Sequence, residues 1–321
     1  MTDYAADLAS IRAASQQIAE HVHRTPVFTS STFDELAGRK LFFKCENFQR
    51  VGAFKMRGAL NAVLCLDDER ARAGVVTHSS GNFAQALALA ARIRGIPAHI
   101  VMPSTAPEVK QQAVAGYGGV IRLCEPTLEA REATALAVCG ETGGTLLHPF
   151  DHRDVIAGQG TIALELMEQA PELDAVIVPV GGGGLISGIA LGYRELDPRV
   201  SVIGAEPAGA DDAARSRRAG TWIPQTAPDT VADGLLTSLG RLTWPVVRDV
   251  VSDIVVVEDD ATVETMHLVW ERMKIVIEPS AAVAVAAAMS DSLPADAHRV
   301  GVVLSGGNVD LSALPWVPRE A

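Results

Sequence analysis

Cysteine is scarce in this chain. The four cysteines, Cys45, Cys65, Cys124 and Cys139, are scattered through 321 residues with no C-x-x-C pair. Neither a zinc site nor a disulfide framework is indicated, and reduced thiols in a cytosol are the plain expectation. An excess of positive charge is also missing. The formal net charge of −12 argues against a nucleic-acid partner, which would call for a basic stripe. No apolar run is long enough to span a bilayer, so no membrane partner is expected. The opening MTDYAADLASIRAASQQIAEHV is acidic near its start and helically periodic, unlike a signal peptide, and a cytoplasmic protein is the expectation. There is no low-complexity segment, no short-period repeat and no linker rich in Pro, Gly or Ser.

What is present is an α/β alternation. Apolar residues make up 48% and charged residues 21%, enough for a substantial core. From Val75 onward, β-branched runs such as GVVTHSS, AHIVMP, VIRLC, DAVIVPV, VSVIGAEP and RVGVVLSGGN alternate with alanine-rich helical stretches. That order predicts parallel sheets covered on both faces. Strands buried on both faces account for the unbroken apolar runs AVIVPV and VGVVL. With no linker visible, a second domain is expected as an insertion: 75–147 as a small α/β unit, with 1–74 and 148–321 forming a large one.

Four stretches suggest chemistry. In VPVGGGGLISGIA, Gly181, Gly182, Gly183 and Gly184 follow a buried strand and open a helix. Glycines there let backbone N–H groups curl around an anion at the positive end of a helix, which predicts a phosphate cradle. No G-K-[S/T] follows, and the G-x-G-x-x-G spacing is not met, so neither a Walker loop nor a dinucleotide fingerprint is present. In THSSGNFAQ, the loop Ser79-Ser80-Gly81-Asn82 offers more donors than an N-cap needs and suits a carboxylate. Ser305, Gly306, Gly307 and Asn308 form a polar turn after the last strand. Glu206, Asp211 and Asp212 cluster in GAEPAGADD, where spacing alone favours an acidic helix start over a hard-cation site. The G-x-S-x-G and H-E-x-x-H motifs are absent, and His148 and His152 read as structural.

A lysine then stands out. Lys55 lies between Phe54 and Met56 in NFQRVGAFKMRGALNAV, where the pattern asks for apolar residues. A snorkelling side chain would explain it. So would an amine held partly dry for chemistry. One such lysine, a phosphate nest, a carboxylate loop and a polar turn together meet the needs of pyridoxal 5′-phosphate.

With these motifs the chain resembles the fold-type II pyridoxal-phosphate enzymes, and within them the serine racemase and serine/threonine dehydratase branch. The likeness runs from RTPVFTSSTFDELAGRKLFFKCENFQ through HPFDHRDVIAGQGTIALEL to SGGNVDL. It implies a tryptophan synthase β-like fold of two open, twisted α/β domains with the cofactor in the cleft between them. It also implies a homodimer and a small amino-acid substrate. By position, Lys55 resembles the lysine that carries the cofactor, with Phe54 beside the ring. Gly181 to Gly184 and Leu185 would hold the phosphate, and Asn82 the phenolic oxygen. Ser305 would face the pyridine nitrogen, with Gly234 and Glu278 lining the ring. Ser79, Ser80, Gly81 and Asn82 would grip the substrate carboxylate, and Arg131 and Thr237 fall where the racemase branch meets ligands. The resemblance turns the acidic cluster into a divalent-cation site made by Glu206, Asp212 and the carbonyl of Ala210. Mg²⁺ is the first expectation there, with Ca²⁺ and Mn²⁺ as alternatives.

The implied activity is elimination of the β-hydroxyl from L-serine, L-threonine or 3-hydroxyaspartate, giving a 2-oxo acid and ammonia. The alternative is a serine racemase, in which Ser80 acts on the face of Cα opposite Lys55. A reading from another class, a non-catalytic metabolite-binding protein, conflicts with an intact Lys55. One departure stands out: Phe83 replaces the histidine usual after the asparagine.

Overall fold

A computed structural model describes residues 4–317. Residues 1–3 and 318–321, the outer ends of the expected large unit, lie outside the described residues. In chain order the elements begin with α1 (Leu8–Ile18), β1 (Val27–Phe28), α2 (Ser31–Ala37), β2 (Lys40–Cys45), α3 (Lys55–Leu64) and α4 (Asp68–Ala73). Next come β3 (Val75–His78), α5 (Asn82–Arg94), β4 (Ala98–Pro103), α6 (Glu108–Gly116), β5 (Val120–Cys124), α7 (Leu128–Thr142) and β6 (Thr145–Leu146). They are followed by α8 (Arg153–Gln169), β7 (Ala175–Pro179), α9 (Gly184–Leu196), β8 (Ser201–Pro207), α10 (Asp212–Ala219), α11 (Thr243–Asp249) and β9 (Asp253–Val257). The series ends with α12 (Asp259–Met273), α13 (Pro279–Met289) and β10 (Arg299–Leu304).

Two sheets result. One has six strands in the order β1-β2-β10-β7-β8-β9, and the other has four in the order β5-β4-β3-β6. All pairings are parallel except one: β1 runs antiparallel to β2, with Val27 opposite Lys44. The parallel order expected from Val75 onward holds in every strand pairing there, and the one antiparallel edge lies before that point, where the short β1 pairs with β2. In the middle of the large sheet, β7 is buried along its whole length and β10 at all but its first residue, as strands covered on both faces must be. The covering is supplied partly by α13, whose sequence PSAAVAVAAAM is apolar all round and which sits wholly inside the core. Proline in its first turn starts it without the loss of a hydrogen bond.

The second sheet uses only residues 75–146, but its core reaches further. Met56, Ala59, Leu60, Ala62 and Val63 of α3 join Phe83, Leu87 and Ile100 in one buried cluster. Helix α3 therefore packs between the sheets, against α5 on one side and α8 on the other. Close approach to α8 depends on glycine. A Cβ on Gly158 would stand 2.6 Å from the Gly58 Cα, and one on Gly188 of α9 would stand 2.5 Å from the Gly160 nitrogen. Three helices thus meet nearly backbone to backbone, with the first residues of α3 and α9 at the same cleft.

Candidate active site

Lys55 opens α3 because the chain before it is sharply bent. Val51 has φ 57° and Gly52 has φ 68°. A β-branched residue in the left-handed region costs about 1–3 kcal/mol and persists only where its surroundings hold it. Here the turn after β10 holds it. The Asn308 side-chain amide donates to the Val51 carbonyl at 2.7 Å, the Gly307 N–H to the Gly52 carbonyl at 2.9 Å, and the Phe54 N–H to the Ser305 carbonyl at 3.0 Å. The polar turn read from the sequence is therefore the clamp on the lysine's own loop.

The amine itself is half-buried and donates to the Pro149 carbonyl at 2.9 Å. Three phenyl rings surround it, with centroids at 5.0 Å for Phe54, 5.9 Å for Phe83 and 6.0 Å for Phe150. Ring faces at this range favour the cation. Loss of water opposes them and wins: desolvation draws Lys55 down to about 8, against the upward pull of Glu278. About a tenth of the amine is then neutral at pH 7, against well under a hundredth for an ordinary lysine, and that share can act as a base or nucleophile. The snorkelling explanation fails, because the amine faces a protein carbonyl and a ring collar. Phe83, 2% exposed, puts a phenyl in that collar where the resemblance leads one to expect an imidazole.

Gly181 to Gly184 join β7 to α9 and are buried. Gly183 has φ 83°, and a Cβ on Gly182 would lie 2.3 Å from the Phe150 ring. A side chain at any of the four would run into its packed neighbours, Leu235, Phe150, Leu239 or Thr243. Helix α9 starts with no side-chain cap, so its first N–H groups face the cradle at the positive end of the helix dipole. Thr243 fixes the cradle from behind by donating to the Gly182 carbonyl at 2.8 Å. Leu185, 5% exposed, follows on α9.

Asn82 opens α5 and donates through its amide to both oxygens of Glu278, at 2.9 and 3.1 Å. Asn308 donates to the Asn82 carbonyl oxygen at 2.8 Å and, through its backbone N–H, to Glu278 at 3.1 Å. Burial pushes the Glu278 carboxyl up to about 7 despite these donors. Gly234, whose N–H donates to the Ser280 hydroxyl at 2.9 Å, would bring a Cβ within 4.0 Å of Glu278. Ser305, at the end of β10, is 3% exposed. Thus Lys55, Phe54, Asn82, Gly234, Glu278 and Ser305 are drawn to one cleft.

The substrate-side residues are less tightly assembled. Ser79, Ser80 and Gly81 form the half-buried loop between β3 and α5, where a Cβ on Gly81 would meet open space. Arg131 on α7 has its Nε buried without a hydrogen-bond partner. Its charge helps hold the His78 imidazole below its usual value, after burial. His78 stands edge-on to His148 at 5.7 Å, and His148 to Phe150 at 4.5 Å. Thr237 is exposed in the loop after β8 and α10, and among the described residues it makes no side-chain hydrogen bond to the other site groups. His148 and His152 accept backbone N–H groups from Asp151 and Asp154, the structural duty expected of them.

Glu206 and Asp212 come together away from Lys55. Glu206, fully buried at the end of β8, accepts the N–H groups of Ala213 at 3.0 Å and Ala214 at 2.8 Å. Asp212 accepts the Leu239 N–H at 3.2 Å with one oxygen, and its other oxygen is buried without a partner. Burial pushes Glu206 up to about 8 and Asp212 up to about 6. Asp211 instead pairs with Arg215 at 2.6 Å. Among the described residues no three His, Cys, Asp or Glu side chains gather at a metal-binding distance. Two carboxylates with an orphaned oxygen, beside the buried Ala210, still match the oxygen donors a hard cation takes.

Sequence reasoning missed Phe150 and Thr243, which close the glycine cradle, and the orienting role of Asn308. Only Asn308 carried a signal, its place in the polar turn SGGN. Phe150 lies in the loop before α8 and Thr243 opens α11, each tens of residues from the glycines it touches.

Comparison with known proteins agrees with this geometry. The family model described as pyridoxal-phosphate dependent enzyme matches residues 18–306. The chain is 53% identical to a serine racemase of Arabidopsis thaliana over 97% of its length and 96% of the relative's. It is also 53% identical to a beta-hydroxyaspartate dehydratase of Paracoccus denitrificans, over 95% and 96% of the two chains. Among solved structures, maize serine racemase superposes with a TM-score of 0.95 at 52% identity, covering 96% of this chain and 95% of the other. The chain belongs to the pyridoxal-phosphate dependent enzyme family, with the fold-type II architecture.

Proposed function

We propose that the protein is an ammonia-lyase that eliminates the β-hydroxyl of small amino acids, L-serine, L-threonine and 3-hydroxyaspartate among them, to give a 2-oxo acid and ammonia. The observation that carries this reading is the partly neutral Lys55 amine, collared by phenyl rings between a glycine cradle and a serine-ended strand. Pyridoxal phosphate, when bound, supplies the electron sink that lets Cα give up its proton. Gly181 to Gly184 and Leu185 would hold its phosphate, Asn82 and Ser305 its ring substituents, and Gly234, Glu278 and Phe54 its faces and edges. A turn of four glycines that leaves no room for a side chain, at the uncapped start of α9, fits that phosphate.

The chain's own groups then act in order. Residues 79–82 bind the substrate carboxylate through N–H and hydroxyl donors. Lys55 takes the Cα proton. The Cβ–OH bond breaks and its oxygen leaves as water, taking the proton that Lys55 had accepted. Ser305 would offer the ring nitrogen a neutral hydroxyl and not a carboxylate, so the bound cofactor would supply a weaker electron sink, which would favour prompt loss of the β-hydroxyl. The released enamine hydrolyses to the oxo acid and ammonia. Arg131, with its buried unpaired Nε, supports acceptance of a substrate with a second carboxylate.

Serine racemisation is the second reading, and Ser80 in the loop before α5 favours it. Incubation with the three substrates, scoring oxo acid and D-amino acid separately, tests both. Ser80→Ala is expected to remove at least about 90% of any D-isomer while elimination stays within about threefold, the spread expected when one proton donor is deleted. Equal loss of both products would reject a separate role for Ser80.

The cation belongs to the proposal as well. Glu206, Asp212 and the Ala210 carbonyl would take Mg²⁺, or Ca²⁺ or Mn²⁺, as a structural activator. Mg²⁺ at about 100 times its dissociation constant is expected to raise stability by about 2.7 kcal/mol. Asp212→Asn should abolish that rise, and a thermal melt with and without chelator checks it. A homodimer working in the cytoplasm completes the reading, and the free state of all four cysteines supports that compartment.

A further inference from the structure

Behind α3, on the side away from the amine, lies a set of charges shut off from water. The side chains of Lys44, Glu46 and Arg57 are fully buried, and that of Glu165 is 13% exposed. Arg57 forks twice. Its Nε and Nη2 donate to the two oxygens of Glu46, both at 2.8 Å, and its Nη1 and Nη2 to the two oxygens of Glu165, at 2.7 and 2.9 Å. Lys44 completes the set with bonds to Glu165 at 2.5 Å, the Gln169 side chain at 2.8 Å and the Thr25 carbonyl at 2.8 Å. The Thr25 hydroxyl donates to Glu46 at 2.5 Å. Two cations balance two anions, and β2, the turn after it, α3 and α8 are tied at one point.

Such a cluster is poor value as a source of stability. Desolvating four charges offsets most of their attraction, and apolar groups of similar volume often do as well or better. Its distinguishing property is direction. Apolar contacts let a helix rotate and slide, whereas a guanidinium paired bidentately with two carboxylates fixes both movements. Helix α3 lacks a side-chain cap at its start. Besides the clamp on residues 51–54 and its apolar packing, its other polar ties to α8 are single bonds, the Gly58 N–H to the Gln159 side chain at 3.2 Å and the Asn61 amide to the Asp154 carbonyl at 2.8 Å, and neither is forked. Arg57 is two residues after Lys55, so the two side chains leave the helix about 200° apart, one to the cluster and one to the cleft. A rotation of about 20° would carry an amine about 6 Å off the axis through about 2 Å. Displacements of about 1 Å can cost about a hundredfold in rate.

We propose that Arg57, held by Glu46, Glu165 and Lys44, is a positioning residue that sets the rotation of α3 and so aims the Lys55 amine. The inference rests on the reading of Lys55 given above. It is tested in the holoenzyme with Arg57→Lys, which keeps the charge and loses the fork, and Glu165→Gln, which leaves the Glu46 fork intact. Ile162→Val, a trimmed core contact on the same helix α8, is the control for lost stability. Three quantities are read: kcat and KM, the melting temperature, and the rate at which the visible absorbance of lysine-bound cofactor returns when pyridoxal phosphate is added to stripped protein.

Both cluster variants are expected to lose about tenfold or more in kcat, with KM within about twofold and a matching loss in the return rate. Ile162→Val should lower the melting temperature and leave both rates alone. Wild-type kcat and return rate in Glu165→Gln would overturn the proposal, as would an equal loss of rate in Ile162→Val. Should Arg57→Lys not fold, Glu165→Gln decides alone. Turnover by Lys55→Ala would instead sink the reading of Lys55, whatever the cluster variants do.

Discussion

Lys55→Ala is expected to lower turnover by at least about 10⁴-fold and to remove the visible absorbance of lysine-bound cofactor, because one amine both carries the cofactor and moves the Cα proton. The same variant tests the environment of that amine. Only the neutral form attacks an aldehyde, so in stripped wild-type protein the rate of cofactor attachment should rise with pH to a plateau whose midpoint is near 8. An unperturbed lysine would place it near 10.4. Linkage gives the matching effect on stability. Between about 8 and 10.5 the unfolded chain holds a proton that the folded amine has lost, so this amine's contribution to the stability of cofactor-free protein rises with pH through that window, against the opposite slope of the buried Cys45 thiol, pushed up to about 12. The penalty of the desolvated amine is complete below the window and gone above it. Lys55→Ala should flatten this slope. A steep slope that survives in the variant would mean that another group titrates there.

Gly182→Ala is expected to weaken pyridoxal phosphate binding by about tenfold to a hundredfold, since charge-assisted hydrogen bonds to a phosphate contribute about 1.5–3 kcal/mol each. A methyl group would arrive 2.3 Å from the Phe150 ring. Either the ring moves, at an overpacking cost of about 1–3 kcal/mol, or the peptide rotates and turns its N–H away from the anion. The double variant Gly182→Ala, Phe150→Ala separates the two. If the clash alone causes the loss, removing the ring restores affinity; if the N–H direction is lost, it does not. Titration of stripped protein with the cofactor reads both. Unchanged affinity in the single variant would show that residues 181–184 do not hold the phosphate.

The parts of this site that a sequence displays are those where local pattern and chemistry disagree. Four glycines between a buried strand and a helix are wasteful unless backbone must approach something, and β7 and α9 bracket them as that reasoning requires. Lys55 was conspicuous for a similar reason. By the same test Lys44, inside the apolar run LFFKC, and Arg57, inside KMRGALNAV, were equally anomalous. They passed unremarked because their partners, Glu46 and Glu165, are recognisable only once α3 lies against α8. Phe150 left no trace, since one aromatic residue in a loop has no period and no spacing rule. The edge strand β1 has two residues and no alternation to read. The DIVVV run of β9 is β-branched, yet it is not among the strand runs picked out from the sequence. Local preference marks single elements; pairings across a hundred or more residues come from packing, which one-dimensional patterns do not carry.

The clamp on residues 51–54 bears on how the protein is born. Lys55 leaves the ribosome long before the residues that hold its loop, 305–308. The same separation in sequence joins β2 to β10 at the centre of the large sheet. Contacts so distant along the chain form slowly and late. Val51 can hold its left-handed conformation only after they form, so the bend that launches α3 waits on residues 305–308. A chain lacking them carries this lysine as an ordinary amine, and the reactive group is acquired only when that distant turn has folded back against residues 51–54.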